Sequence, residues 1–329
     1  MDHSFYNDLV SQSLGGSSLS RELCEQILNS SDIELLPLLD AAFKVRKKFW
    51  NKEVQIHIIN NAQNGHCSED CGYCAQAKTS KAGIEEYSLK SDEEIVAEAK
   101  AAYDNGAYRY CMVFAGRGPS PRRIEKLCEL VGKIRALNPQ GKICISAGLI
   151  NPDGAQKLKQ AGLDQLNHNL NSSREFYPKI CSTHTFDDRL NTLKAGRGAG
   201  INLCSGMIVG MGETTDDVIE VAMTLRELQV ESIPVNFLVP IEGNVLTQAQ
   251  NLTPEYCLRV LCLFRLLNSL LGVLPANFKD LPAQKQESLR KSRPFVAQRA
   301  LHIDESWVIE RRQLQRLHES YERPPAGGL

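Results

Sequence analysis

The chain has 329 residues and nearly balanced charge, 38 Lys+Arg against 39 Asp+Glu. That balance gives no electrostatic case for nucleic acid or an anionic membrane surface, and no stretch approaches the roughly 18 uninterrupted apolar residues of a membrane span. Met1-Asp-His-Ser-Phe-Tyr lacks a basic region leading into an apolar run, so no signal peptide is expected; the 11 cysteines, an odd number, then point to a cytoplasmic protein with free thiols rather than a disulfide framework.

Apolar positions at helical spacing predict two leading helices, over 19–29 and 33–50, with Asp32 as the cap of the second. A short apolar strand over 54–59 feeds the run Cys67-Ser-Glu-Asp-Cys71-Gly-Tyr-Cys74. Ser91-Asp-Glu-Glu then opens a helix as a capping box. A strand over 108–114, a Gly/Pro loop over 116–121 and a helix to Leu137 follow. Further strands are expected over 142–147, 163–168, 201–209 and 232–239, separated by helices near 152–161, 185–199, 214–229 and 253–271. Strands alternating with helices imply a parallel sheet, and this many units suggest a TIM-type (β/α) barrel over 51–275 behind a helical lead-in over 1–50. A doubly wound open sheet is the alternative, but no GxGxxG follows the first strand.

The spacing CxxxCxxC at Cys67, Cys71 and Cys74 lacks a fourth cysteine. A structural zinc site closes its tetrahedron with four protein ligands, and ferredoxin spacings hold every iron by cysteine. Three thiolates from one loop instead suit a 4Fe–4S cluster with one iron open to a small molecule. A zinc reading needs another ligand, for which the adjacent His66 is the candidate.

With its flanks, from Asn60-Asn-Ala-Gln-Asn-Gly-His-Cys67 to Cys74-Ala-Gln76, this loop resembles the cluster loop of the radical S-adenosylmethionine enzymes and, among them, of the biotin synthases. The resemblance implies that the open iron chelates S-adenosylmethionine, which is cleaved to a 5′-deoxyadenosyl radical, with Tyr73 beside the cofactor.

Three more cysteines fall inside predicted strands: Cys111 in the second, Cys144 in the third and Cys204 in the fifth. In a barrel they can converge on the interior; singly, each reads as a small buried hydrophobe. The resemblance places a second, 2Fe–2S cluster on these three. Cys24, Cys128, Cys181, Cys257 and Cys262 are read as ordinary packed cysteines.

Asn167-His-Asn169-Leu-Asn171 ends the fourth strand and is similar to the family segment that contacts the cofactor ribose and the ureido ring of the substrate. Amides donate and accept, which suits both groups, although an Asn-rich strand end is also turn chemistry. Asn171 stands where some family members carry aspartate. Ile208-Val-Gly-Met-Gly-Glu213 resembles the segment that packs on the adenine, and Asn236 is a further pocket position.

The resemblance covers roughly residues 20–270 and then falters. A seventh strand carrying an arginine ligand to the second cluster, a Gly-Gly-Arg-Glu-like turn and an eighth strand are expected, but the chain reads Leu274-Pro-Ala-Asn-Phe-Lys279-Asp. Lys279, ahead of Arg290, is the nearest stand-in, although lysine lacks the planar fork of arginine. No closing strands are expected from about Ala276 onward, leaving an open seam and poor solubility; a diverged tail and a tail read in another frame both remain open.

The resemblance implies sulfur insertion into dethiobiotin, two iron–sulfur clusters, S-adenosylmethionine, a homodimer and a flavodoxin-type electron donor. A radical enzyme with another substrate, a catalytically impaired homologue and a zinc-binding interaction protein are the alternatives.

Overall fold

Short apolar strands alternating with capped helices build a parallel α/β wall of the barrel type, described by the computed structural model over residues 1–269. β1 (His57–Gln63), β2 (Arg109–Phe114), β3 (Lys142–Ser146), β4 (Gln165–Asn167) and β5 (Asn202–Cys204) pair in the order β1-β2-β3-β4-β5. β6 (Met207–Val209) and β7 (Val235–Phe237) form a second parallel pair. Parallel bridges from Asn171 to Met207 and from Cys204 to Ser232 join the two sheets.

Each crossover helix starts where its sequence supplies a cap. Ser91 with Glu94 boxes α4 (Asp92–Asp104), Thr185 with Asp188 boxes α7 (Phe186–Gly198), and Thr214 with Asp217 boxes α8 (Thr215–Glu227). Proline in the first turn, behind caps Ser120, Asn151 and Thr253, opens α5 (Pro121–Leu137), α6 (Pro152–Gln160) and α9 (Pro254–Leu267). Each such cap contributes on the order of 1 kcal/mol.

The lead-in has three helices where the sequence predicts two: α1 (His3–Leu14), α2 (Arg21–Asn29) and α3 (Leu35–Trp50). α1 escapes a periodicity reading because it buries only Tyr6, Leu9 and Ser13; its Asp2 cap is the stronger signal. Asp32 does not cap α3. Glu34 occupies that position without a side-chain bond, and its amide donates to the Tyr6 hydroxyl at 2.8 Å. The lead-in is stitched to α9: Arg259 donates to the carbonyls of Ile27 (3.0 Å) and Ile33 (2.6 Å), and Ser13 Oγ donates to Leu266 O at 2.7 Å.

Two strand expectations are corrected. β1 begins at His57 and runs to Gln63, later than the predicted 54–59, because pairing with β2 starts at His57↔Arg109. The single strand predicted over 201–209 is broken between β5 and β6. There Gly206 passes so close to the neighbouring chain that a Cβ would lie 1.7 Å from Pro234 O. α9, the last helix among the described residues, ends at Leu267, short of the predicted 271.

One buried apolar cluster joins the lead-in helices, the Cys71 region, α8 and α9; a second fills the space between β1–β4 and α4–α6. Among the described residues no helix is long and apolar enough to cross a membrane. Lys279, Arg290 and the closing strands doubted after Ala276 lie outside the described residues.

Candidate iron–sulfur and cofactor site

Parallel register places three strand cysteines on one face. Cys111 pairs with Cys144, Cys144 with Gln165, and Gln165 with Asn202, so these side chains share one level of the wall. Cys204 follows Asn202 by two residues and therefore faces the same way, one level higher. The Sγ atoms of Cys111 and Cys144 are 2.9 Å apart, and Asn167 Nδ2 donates to Cys204 Sγ at 3.4 Å. Burial pushes the Cys204 thiol up to about 12. Burial and the neighbouring Cys111 likewise raise Cys144. Thiols so placed stay protonated without a metal, and a metal replaces the proton.

The first cysteine loop is pinned from two sides. Gly72 N donates to Ile180 O at 2.8 Å, and Leu246 N donates to Gly72 O at 3.1 Å. Asp70 Oδ1 accepts from the amides of Ser182 (2.9 Å) and Thr183 (3.2 Å). Burial works against ionisation of Asp70, but its hydrogen bonds from Ser182, Cys181 and Thr183 outweigh it and hold the acid far below the usual carboxylate range. Glu69 Oε2 faces His184 Nδ1 at 2.5 Å.

Cys181 also belongs to this neighbourhood, which the sequence reading did not anticipate. Its Sγ lies 3.8 Å from that of Cys71 and 3.3 Å from His184 Nδ1. The ligand atoms of Cys71, Cys181 and His184 all lie within 4.8 Å of one another. Its hydrogen bond to Cys181 and burial raise the Cys71 thiol, while the same bond acts to lower Cys181. The only sequence signal was the Cys-Ser-Thr-His spacing of residues 181–184. His66, the zinc candidate, is exposed and faces Glu86 Oε2 at 4.0 Å.

Arg189 on α7 connects the cysteine loop to the end of β4, and it too was not anticipated. Nη1 donates to Asn169 O at 2.8 Å, Nη2 to the Tyr73 hydroxyl at 3.3 Å, and Nε to His184 Nε2 at 3.2 Å. Asn171 Nδ2 donates to the same Tyr73 hydroxyl. Asn171 has φ 68°, a left-handed conformation that asparagine tolerates better than most residues. Asn167 reaches the Cys204 thiol, whereas Asn169 Oδ1 and His168 Nε2 are buried with no protein partner among the described residues. Burial keeps His168 neutral.

Glu213 turns back on its own loop. Its carboxylate oxygens accept from Gly210 N at 2.6 Å and Met211 N at 2.8 Å. Gly210 has φ 99°, and a Cβ there would lie 2.5 Å from Leu252 Cδ1, so the loop needs glycine at this position. Burial raises the Glu213 acid. Asn236 pairs in register with Ile208 and is half-buried.

These donors fit iron–sulfur groups and a polar organic ligand. Soft thiols pair in two places, Cys71 with Cys181 and Cys111 with Cys144, and buried amide and imidazole atoms at the end of β4 have no protein partner among the described residues. Buried polar atoms normally find a partner, so Asn169 Oδ1 and His168 Nε2 are positions that a bound polar group can satisfy.

The model of the radical SAM superfamily matches residues 64–225. A biotin synthase from Magnetococcus marinus is 52% identical over 264 residues, covering 80% of this chain and 82% of that protein. One from Acaryochloris marina is 53% identical over 243 residues, covering 74% and 70%. Among solved structures, the FeFe-hydrogenase maturase HydG from Carboxydothermus hydrogenoformans superposes with a TM-score of 0.70 at 20% identity, covering 88% of this chain and 68% of that one. Methylornithine synthase (PylB) gives 0.67 at 19% identity, covering 87% and 95%. At such identities the structural likeness speaks for the fold alone.

Proposed function

The chain belongs to the biotin synthase family of radical S-adenosylmethionine enzymes, and on that premise we propose that Cys67, Cys71 and Cys74 hold its 4Fe–4S cluster and Cys111, Cys144 and Cys204 its 2Fe–2S cluster. Its reaction is radical sulfur insertion into dethiobiotin to form biotin, with S-adenosylmethionine as cosubstrate.

Dethiobiotin must gain a sulfur bridge between two saturated carbons. No side-chain acid or base removes a proton from such a C–H bond, so the hard step belongs to a cofactor. The first cluster with S-adenosylmethionine supplies the hydrogen-abstracting 5′-deoxyadenosyl radical, and the second supplies the sulfur.

The protein's own residues position the reactants. The first loop is braced by Asp70 on Ser182 and Thr183 and by Glu69 on His184, so Cys67, Cys71 and Cys74 leave rigid backbone. Asn169 offers an unpartnered Oδ1 to the ribose or the ureido group. Asn171 and Tyr73, bonded to each other, set the height of that platform above the loop. Asn167 ties the ligand segment to Cys204. Glu213 shapes the glycine loop by accepting its amides, which leaves the backbone to meet the adenine.

The register that sets Cys111, Cys144 and Cys204, from three separate strands, on one face of the wall supports this reading. We assign the cytoplasm, a homodimer and a flavodoxin-type donor on family grounds, with residues 51–275 as the catalytic barrel, 1–50 as its helical lead-in and 276–329 as a divergent tail.

Anaerobic incubation of the reconstituted protein with dethiobiotin, S-adenosylmethionine and dithionite or reduced flavodoxin tests the proposal. Biotin and 5′-deoxyadenosine together are expected. Cleavage of S-adenosylmethionine without biotin would point to another substrate, and zinc without acid-labile sulfide would point to a binding protein.

A further inference from the structure

We propose that Arg109, held by His57, is the cationic wall of the chamber lined by Cys111, Cys144 and Cys204, a positioning residue that compensates the charge of the second cluster and sets its potential. The inference rests on the reading that those three thiols hold that cluster.

The register puts Arg109 there. His57, Arg109 and Lys142 form one level of the wall, directly below Ile59, Cys111 and Cys144 on the same face. Lys142 is drawn away, its Nζ 3.2 Å from Asp164 Oδ1. Arg109 instead remains beside His57, with Nη1 3.4 Å from Nδ1 and 3.3 Å from Nε2. The face of Tyr108 lies 5.4 Å from its guanidinium carbon.

Among the described residues Arg109 makes no ion pair. Asp164, the nearby acid at this end of the sheet, is engaged by both Arg135 and Lys142. Arg109 Nε is buried and finds no acceptor among the described residues. The guanidinium is a planar cation, half-buried at this end of the wall, where a charge without a partner is costly. Three thiolates around a two-iron core leave a net negative site, so cation and cluster neutralise each other. His57, neutral because of burial and of Arg109 itself, can accept from the guanidinium without competing for that charge.

Net charge and hydrogen bonds to sulfur are the levers by which a protein tunes cluster potential. Removing a neighbouring cation disfavours the added electron, so the potential must fall.

The test compares parent, Arg109→Gln and Arg109→Lys proteins, each reconstituted anaerobically with iron and sulfide. The readouts are 2Fe–2S absorption, sulfide per chain and the reduction potential by mediated titration. Arg109→Gln should shift the potential negative and shed the second cluster faster, and Arg109→Lys should restore both toward the parent. A parent-like potential in Arg109→Gln, or equal shifts in both variants, would overturn the proposal. Should Arg109→Gln hold no second cluster at all, a loaded Arg109→Lys supports it and an empty one overturns it. Cys144→Ala, run in parallel, reports on the underlying site: retention of the 2Fe–2S spectrum there would remove the cluster from these cysteines, whatever Arg109 does.

Discussion

Cys181 Sγ sits 3.8 Å from Cys71 Sγ, although 110 residues separate the two. The relationship bears on the chemistry, because a fourth thiolate on the first cluster would close the iron that S-adenosylmethionine needs. Asp70, Thr183 and His184 all contact the Cys181 thiol and hold it in the loop's support.

Cys181→Ala should therefore keep iron, sulfide and 5′-deoxyadenosine production close to the parent, while Cys71→Ala loses all three. Iron analysis and single-turnover cleavage of S-adenosylmethionine check the pair. Retained 5′-deoxyadenosine in Cys71→Ala, or loss of the cluster in Cys181→Ala, would place the ligand set elsewhere.

Cys144→Ala should remove the 2Fe–2S optical signature and biotin formation, with the 4Fe–4S site still reconstitutable. The two trios sit on different elements, a loop for the first and β2, β3 and β5 for the second, so damage to one need not reach the other. Biotin made at the parent rate would reduce Cys144 to a packed core residue.

Asn169→Ala should weaken S-adenosylmethionine or dethiobiotin binding by about 1–3 kcal/mol, the usual cost of stranding a buried polar partner. Its Oδ1 has no protein partner among the described residues, which leaves it open to a ligand. Calorimetry showing unchanged affinity for both ligands would return this segment to turn chemistry.

Much of this arrangement was legible in the sequence. The alternation of apolar runs with Ser, Thr and Pro helix starts located the crossover helices to within a few residues, because caps and periodicity are local properties. That Cys111, Cys144 and Cys204 share a face was legible because strand positions convert directly into shared faces. Cys181, His184 and Arg189 were not, since their roles arise from contacts to Cys71, Glu69 and Tyr73, each more than 100 residues away. The break at Gly206 was missed for the same reason: the close approach of Pro234 there comes from a neighbouring segment. Glu213 was read as a cofactor contact, but its fold-back onto Gly210 depends on loop geometry that residue types do not reveal.

Stability of the cluster-free protein should fall with acid through His57. Burial and Arg109 lower its folded value from 6.5 to about 4. Below about pH 6.5 the unfolded chain binds a proton that the folded chain refuses until about pH 4, so the stabilisation is complete above that window and lost through it. His168, also kept neutral by burial, adds to the same slope. His57→Gln should therefore flatten the decline between neutral and mildly acidic pH without abolishing it. Denaturant unfolding across this range checks it, and an unchanged slope would show that His57 titrates alike in both states.

The central claim is sulfur insertion into dethiobiotin by this chain, and growth tests it most directly. Expressed in a strain lacking its own biotin synthase, the protein should restore growth without biotin, and both Cys71→Ala and Cys144→Ala should abolish that rescue. No growth on dethiobiotin from cells in which the protein accumulates with both clusters intact would contradict the account.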